Sequence, residues 1–214
     1  MKTGILFDLD GTLLNTLEDL LDATNYALTF CGYPKRTLKE LRMFVGNGAY
    51  NQIRMSLPAD TDPEEVERVL GVYKPYYTAH CQIKTRPYDG ILPALEALSQ
   101  DFPLAIVSNK PDAAVKALCA DHFPGVFALG EIPGCPRKPA PDMLRLAMEA
   151  IHSDTCIYVG DSEVDVLTAQ NARIPCVSVL WGFRDRELLE AAGARHLCPS
   201  PALLPQIIRG IAGI

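Results

Sequence analysis

The chain has 214 residues, of which 48% are hydrophobic and 21% charged, and a formal net charge of −6. That length allows one substantial core, or one core and a small accessory domain. The acidic balance argues against nucleic acid or an anionic membrane as principal partner, and no apolar stretch reaches the ~20 residues that span a bilayer.

The opening Met-Lys-Thr-Gly passes straight into an apolar run without the long hydrophobic region of a signal peptide, so the cytoplasm is the expected location. The first expected element is a buried strand at 5–7, ending in Asp8-Leu9-Asp10-Gly11-Thr12. Residues two apart on a strand point to one face, so Asp8 and Asp10 would share a pocket. Like charges so placed repel unless a cation or a reaction requires them. The plain alternative is an acidic turn that caps a helix.

A long helix follows, with Thr16 and Asp19 at capping-box spacing and with Leu17, Leu20, Leu21, Leu28 and Cys31 near helical intervals. Gly32 and Pro34 end it. A second helix is expected after Gly46-Asn47-Gly48. A third starts at Asp62-Pro63-Glu64-Glu65, which supplies a cap, a first-turn proline and an acidic first turn. It carries Val66, Val69, Leu70, Tyr73 and Tyr77, and Pro75 should kink or shorten it. The aromatic group Tyr73, Tyr76 and Tyr77 reads as packing, as do Met43, Phe44 and Tyr50.

From about residue 90 the pattern changes to short apolar runs at 104–107, 157–160 and 176–180, each followed by a helical segment, with a weaker run at 126–129. Alternation of this kind predicts an α/β fold with a parallel sheet built from right-handed crossovers. The strand at 5–7 has no partner before 104, so the helical block reads as an insertion. The expected domains are a core of 1–14 and 86–214 and a helical domain of 15–85.

Cys31, Cys81, Cys119, Cys135, Cys156, Cys176 and Cys198 are scattered, with no C-x-x-C pair and no clustered histidine. They read as small core hydrophobes, and no zinc site is assigned.

Open parallel sheets gather the loops that follow their strands along one edge. Four such loops carry chemistry: the Asp8–Thr12 segment, Ser108-Asn109-Lys110, Arg137-Lys138-Pro139-Ala140-Pro141, and Gly160-Asp161-Ser162-Glu163-Val164-Asp165. Each has a plain reading when taken alone. Ser108 would cap the next helix, Lys138 would be a solvated lysine, Asp161 a cap and Asp165 a surface acid, with Glu163 solvated in the first turn. Four in this order, each after an expected strand, leave little room for coincidence.

The order resembles the haloacid dehalogenase superfamily, whose signature is Asp-x-Asp-Gly-Thr, then Ser or Thr, a later Lys, and Gly-Asp-x-x-x-Asp. The resemblance implies a Rossmann-like parallel sheet core with an inserted small α-helical cap. Val45-Gly46-Asn47-Gly48, Arg86-Pro87-Tyr88-Asp89-Gly90 and Trp181-Gly182-Phe183 look like the phosphoglycolate phosphatase branch.

What the resemblance implies for the site is specific. Asp8 would be the nucleophile and Asp10 the general acid and base. Ser108 and the Asn109 backbone would bind phosphoryl oxygens, beside Gly11 and Thr12. Lys138 would stabilise Asp8 and the transferring group. Mg²⁺ would be held by Asp8, the Asp10 backbone carbonyl and Asp161, with Asp165 behind them. The Asp10 side chain argues against the dehalogenase and phosphonate-cleaving members.

Gly46, Asn47 and Gly48, before a helix, would meet the carboxylate of a small substrate such as 2-phosphoglycolate, with Arg42 either a helper or a surface arginine. The plain reading is a tight turn with an Asn cap. Asn15 and Arg173 depart from the family pattern, where Asp and Gly are usual. The expected partner is a small phosphorylated metabolite, with a monomer or homodimer as the state of assembly. The competing readings are a sugar-phosphate phosphatase, a β-phosphoglucomutase-like phosphotransferase, and a non-catalytic module that binds phospho-ligands.

Overall fold

In chain order the computed structural model, which describes residues 2–214, contains β1 (Thr3–Phe7), β2 (Leu14–Asn15), α1 (Leu17–Phe30), α2 (Leu38–Phe44), α3 (Gly48–Ser56) and α4 (Pro63–His80). These are followed by β3 (Arg86–Pro87), α5 (Ile91–Ser99), β4 (Leu104–Pro111), α6 (Asp112–His122), β5 (Phe127–Glu131), α7 (Asp142–Ala150) and β6 (Thr155–Gly160). The last elements are α8 (Glu163–Ala172), β7 (Cys176–Val179), α9 (Arg186–Ala191), β8 (His196–Cys198) and α10 (Leu204–Ala212). Two compact units result: Thr16–Arg86, and Pro87–Ile214 with the chain up to Asn15.

The second unit is an α/β core. Its six strands run in the order β5-β4-β1-β6-β7-β8, every neighbouring pair parallel. Ile5 pairs with Leu104 on one side and Ile157 on the other. The chain moves outward from β1 to β4 and β5, then returns to lay β6 on the opposite flank of β1. That reversal opens a crevice beyond the carboxyl end of β1, where parallel sheets bind their ligands.

Ile5, Leu6 and Phe7 are wholly buried, as are Ala105, Ile106 and Val107. One face of the sheet, with Leu6, Val107 and Tyr158, packs on Met143, Leu144 and Ala147 of α7. All seven cysteines are free thiols, and burial pushes those of Cys156 and Cys176 up to about 12.

The observed strands of the six-stranded sheet overlie the expected ones, and the two-residue strands β2 and β3, the length of β4 and the presence of β8 differ from expectation. The strand expected at 104–107 continues to Pro111 through an irregular register after Val107. Strand β8 was not expected, because three residues are too few to show a period. Helix α8 ends on Arg173 in the left-handed conformation, φ 59 and ψ 43. A side chain there costs about 1 kcal/mol relative to an unstrained backbone.

The helical unit corrects several expectations. Thr16 makes no side-chain cap to α1, so the capping box proposed with Asp19 does not form. Asp19 is instead buried and accepts from the backbone N–H of Lys84 (3.0 Å), the N–H of Thr85 (2.8 Å) and the Thr85 hydroxyl (2.8 Å). The start and end of this unit are thereby tied together.

A capping box does form at Thr37 and Glu40, ahead of the unexpected short helix α2. Pro75 does not shorten α4, which runs through it to His80. The buried stripe of Val66, Val69, Leu70, Tyr73 and Tyr77, packed on α1, outweighs one lost ladder bond. Tyr76 stacks between Tyr26 (3.9 Å) and His80 (4.1 Å). Asn47 stands at the N-cap of α3 without a side-chain cap bond, so the Asn-cap reading is corrected too.

Candidate active site

Strand β1 stays extended through Asp8, whose N–H donates to the Val159 carbonyl (2.8 Å). The chain then coils tightly. The Leu9 carbonyl accepts from Leu13 (3.0 Å) and Leu14 (2.9 Å), and Gly11 takes φ 87. A Cβ on Gly11 would overlap the Asp161 carboxylate, so only glycine fits.

At the end of β4, Ser108 does not cap the next helix. Its hydroxyl accepts from the Lys110 N–H (3.3 Å), and Pro111 holds the cap position of α6. The Asn109 side-chain amide grips the backbone of Lys138 in both directions, accepting from its N–H (2.8 Å) and donating to its carbonyl (3.0 Å). Two loops far apart in sequence are locked by one amide. Lys110, itself buried, pairs with Asp10 Oδ1 at 2.9 Å.

Lys138 is 1% exposed and therefore no solvated lysine. Its Nζ lies 2.8 Å from Asp8 Oδ1 and 2.8 Å from Asp165 Oδ1, and it donates to the Tyr158 hydroxyl at 2.7 Å. Asp165 is fully buried. The cap of α8 is Ser162, and Asp165 completes that capping box, its Oδ2 accepting from the Ser162 hydroxyl (2.6 Å) and N–H (3.1 Å). Both readings of Asp161 as a cap and Asp165 as a surface acid are thus corrected.

Asp161 Oδ1 accepts from the Thr12 hydroxyl (3.2 Å) and Oδ2 from the Phe183 N–H (2.7 Å). The loop after β7 closes over it. Trp181 donates from its indole to the Thr12 carbonyl (3.0 Å). Gly182 has no room for a Cβ, which would meet the Asp161 side chain and the Gly11 carbonyl. Arg184, 4% exposed, anchors the loop through a fork to Glu163 at 2.7 and 3.2 Å. Glu163 is therefore engaged rather than merely solvated.

The electrostatics follow from burial. Asp8 is pushed well above the usual carboxylate range by desolvation, against the opposing charge of Lys138. Asp161 is pushed up to about 7, first by burial and then by the charge of Asp165. For Asp165 burial acts in the same direction, but the Lys138 charge and hydrogen bonds from Lys138, Ser162 and Tyr158 outweigh it and hold the group below its ordinary value. Lys138 is raised, because two carboxylates outweigh its desolvation.

Asp8, Asp161 and Asp165 place one ligand atom each within 4.8 Å of one another. One lysine cannot neutralise three carboxylates, and the deficit is greatest at Asp8 and Asp161. Those hard oxygen donors fit a divalent cation such as Mg²⁺. Asp165 has both oxygens committed to Lys138, Tyr158 and Ser162, which suits a supporting place better than a ligand's.

The core thus gathers Asp8, Asp10, Gly11, Thr12, Ser108, Asn109, Lys138, Asp161 and Asp165 at one sheet edge. Gly46, Asn47 and Gly48 belong to the helical unit, where Gly46, ahead of α3, takes φ 105 and Gly48, its first residue, takes φ 77. Sequence reasoning gave no role to Lys110, Tyr158 or Arg184. The available signals were faint: a lysine inside a buried run, and a tyrosine hydroxyl that needs a partner once buried.

Comparison with known proteins agrees with this geometry. Residues 5–179 match the model of the haloacid dehalogenase-like hydrolase family. The phosphoglycolate phosphatase of Rhodobacter capsulatus is 34% identical, with 98% of each chain covered. That of Mesorhizobium japonicum is 35% identical, covering 87% of this chain and 86% of its own. A crystal structure from Lactobacillus delbrueckii subsp. bulgaricus, assigned as a phosphoglycolate phosphatase, superposes with a TM-score of 0.91 at 39% identity, covering 97% of this chain and 99% of that one. With the sheet order, the acidic cluster and the buried lysine in place, these matches establish that the chain belongs to the haloacid dehalogenase-like hydrolase family.

Proposed function

We propose that the chain is a Mg²⁺-dependent phosphatase that hydrolyses a small phosphomonoester, 2-phosphoglycolate foremost, through an aspartyl-phosphate on Asp8. The observation that carries this reading is the Asp8–Lys138–Asp165 network beside Asp161 at the switch point of the sheet. The names of the relatives add the substrate.

A carboxylate oxygen of Asp8 attacks phosphorus, and the bond to the leaving alkoxide breaks while Asp10 gives that oxygen its proton. Asp10 then takes a proton from the water that attacks the acyl phosphate, releasing phosphate and restoring Asp8. Lys110 holds the Asp10 carboxylate, Ser108 and the Asn109 backbone meet phosphoryl oxygens, and Lys138 fixes Asp8. Asp8, the Asp10 carbonyl and Asp161 would hold Mg²⁺, which supplies positive charge against the repulsion between phosphate and Asp8.

Phosphate release from a panel containing 2-phosphoglycolate, glycerol phosphates and hexose phosphates tests the reading. A preference for 2-phosphoglycolate of about tenfold or more in kcat/KM is expected. Equal, slow hydrolysis of all would overturn the substrate. Isomerisation of glucose 1-phosphate without phosphate release would favour the phosphotransferase.

Metal linkage gives a second prediction. Asp161 titrates at about 7 in the folded chain, against an unfolded value of about 4. The protonated form is the better one to fold, so this group's contribution is fully present below the unfolded pKa and lost as pH rises through the folded one. Mg²⁺ takes the proton's place, so the gain in Tm on adding it should be larger at about pH 8 than at about pH 5.5. Scanning fluorimetry measures both; equal gains would remove Asp161 from the ligand set.

A further inference from the structure

A lysine ammonium has three N–H bonds and no acceptor. In a dry pocket each donor left without a partner destabilises the arrangement that leaves it so. At Lys138 all three are met: Asp8 Oδ1 at 2.8 Å, Asp165 Oδ1 at 2.8 Å and the Tyr158 hydroxyl at 2.7 Å. The Tyr158 hydroxyl in turn donates to Asp165 Oδ1 at 2.9 Å. Lysine, tyrosine and Asp165 therefore close a hydrogen-bonded ring with Asp8 attached to one corner.

Tyr158 is unlike the other two acceptors. It is neutral, it stands in the middle of β6, and its ring is wholly buried in the layer between the sheet and α7. Its register is fixed by pairing with Leu6 of β1. The two carboxylates sit on loops or at a helix start, but the phenol oxygen is fixed by a strand in the centre of the sheet. The backbone of Lys138 is already gripped by Asn109. A four-carbon stem with one pinned end still leaves the ammonium free to pivot, and the phenol pins the other end.

We propose that Tyr158 is a positioning residue for the reaction: its hydroxyl takes the third N–H of Lys138 and so holds the ammonium on Asp8. The proposal rests on the phosphatase reading for its kinetic effect but not for its geometry. The hydroxyl of Tyr158 bonds to Lys138 and Asp165. It acts through Lys138, by keeping the nucleophile's cation in one place. Without the hydroxyl, one N–H has no acceptor, and the ammonium gains a reason to turn away from Asp8. Misplacement of a catalytic group by about 1 Å can cost on the order of a hundredfold in rate.

Tyr158→Phe removes one oxygen and keeps the ring. The expected result is a fall in kcat of about tenfold to a hundredfold, with KM for the best substrate changed by less than about threefold, because the missing contact is not made to substrate. A loss confined to KM, or kcat within about twofold of wild type, would overturn the proposal.

A direct readout needs no turnover. In protein carrying isotope-labelled lysine, an ammonium with three buried partners should give a slowly exchanging proton–nitrogen signal, identified by its disappearance in Lys138→Arg. Tyr158→Phe should shift that signal and speed its exchange. An unmoved signal in Tyr158→Phe, or no protected ammonium in the wild-type protein, would also overturn it. The wild-type spectrum decides the matter if Tyr158→Phe does not fold. A protected, Tyr158-dependent ammonium in a chain that hydrolyses none of the phosphoesters would refute the functional reading alone.

Discussion

Asp8→Asn is expected to abolish turnover and leave the fold standing. The change is isosteric, and the amide nitrogen or oxygen is too weak a nucleophile to displace an alkoxide from phosphorus. Burial already disfavours a charge at this position, so replacing it with a neutral group asks little of the folded chain. Lys138 retains Asp165 and Tyr158 as partners. Phosphate release should fall by about a thousandfold or more with Tm unchanged to within a few degrees. Substantial activity in a cleanly purified variant would remove Asp8 as nucleophile. A collapse of Tm would mean instead that the ion pair is chiefly structural.

The second large effect is expected at a residue that has no side chain of its own. A Cβ at Gly182 has nowhere to go: the Asp161 side chain and the Gly11 carbonyl already occupy its place. Neither can yield freely, because Asp161 is tied to Thr12 and Phe183 and Gly11 belongs to the tight turn that carries Asp10. Gly182→Ala should lower kcat by about a hundredfold through displacement of Asp161. Stability should fall by about 1–3 kcal/mol as an overpacked site. Gly210→Ala is the control, since nothing lies within 4 Å of a Cβ at that position in α10. It should leave activity alone and raise stability by roughly 0.5–1 kcal/mol. Calorimetry with a phosphatase assay separates the two. Equal behaviour of both variants would refute the close-packing argument.

Much of this was legible in the amino-acid sequence, and the reason is local. Asp8, Asp10, Ser108, Asp161 and Asp165 each follow an apolar run that announces its own strand, and a parallel sheet brings such strand ends to one edge whatever lies between them. Lys138 stood out only by its place in that order. What stayed hidden depends on partners far away in the chain. Tyr158 looks like one more apolar residue until Lys138 arrives from twenty positions upstream. Lys110 falls in a loop by its sequence, and its pairing with Asp10 stayed hidden because the strand continues beyond its hydrophobic part. Arg184 and Glu163 each look solvated alone. Asp19 carried a misleading local signal: its spacing from Thr16 suited a cap, but burial beside Lys84 and Thr85 offered the carboxylate better donors.

That Asp19 contact has a counterpart on the other side of the crossings. In the core, Tyr88 donates to the Leu13 carbonyl (3.1 Å), and in the helical unit Asp19 binds the segment that ends at Thr85. Each unit therefore has a bond of its own that holds its side of the two crossings. Because the cost of closing a connection grows only slowly with its length, a change in the length of the helical block should leave the pairing of Ile5 with Leu104 as it is.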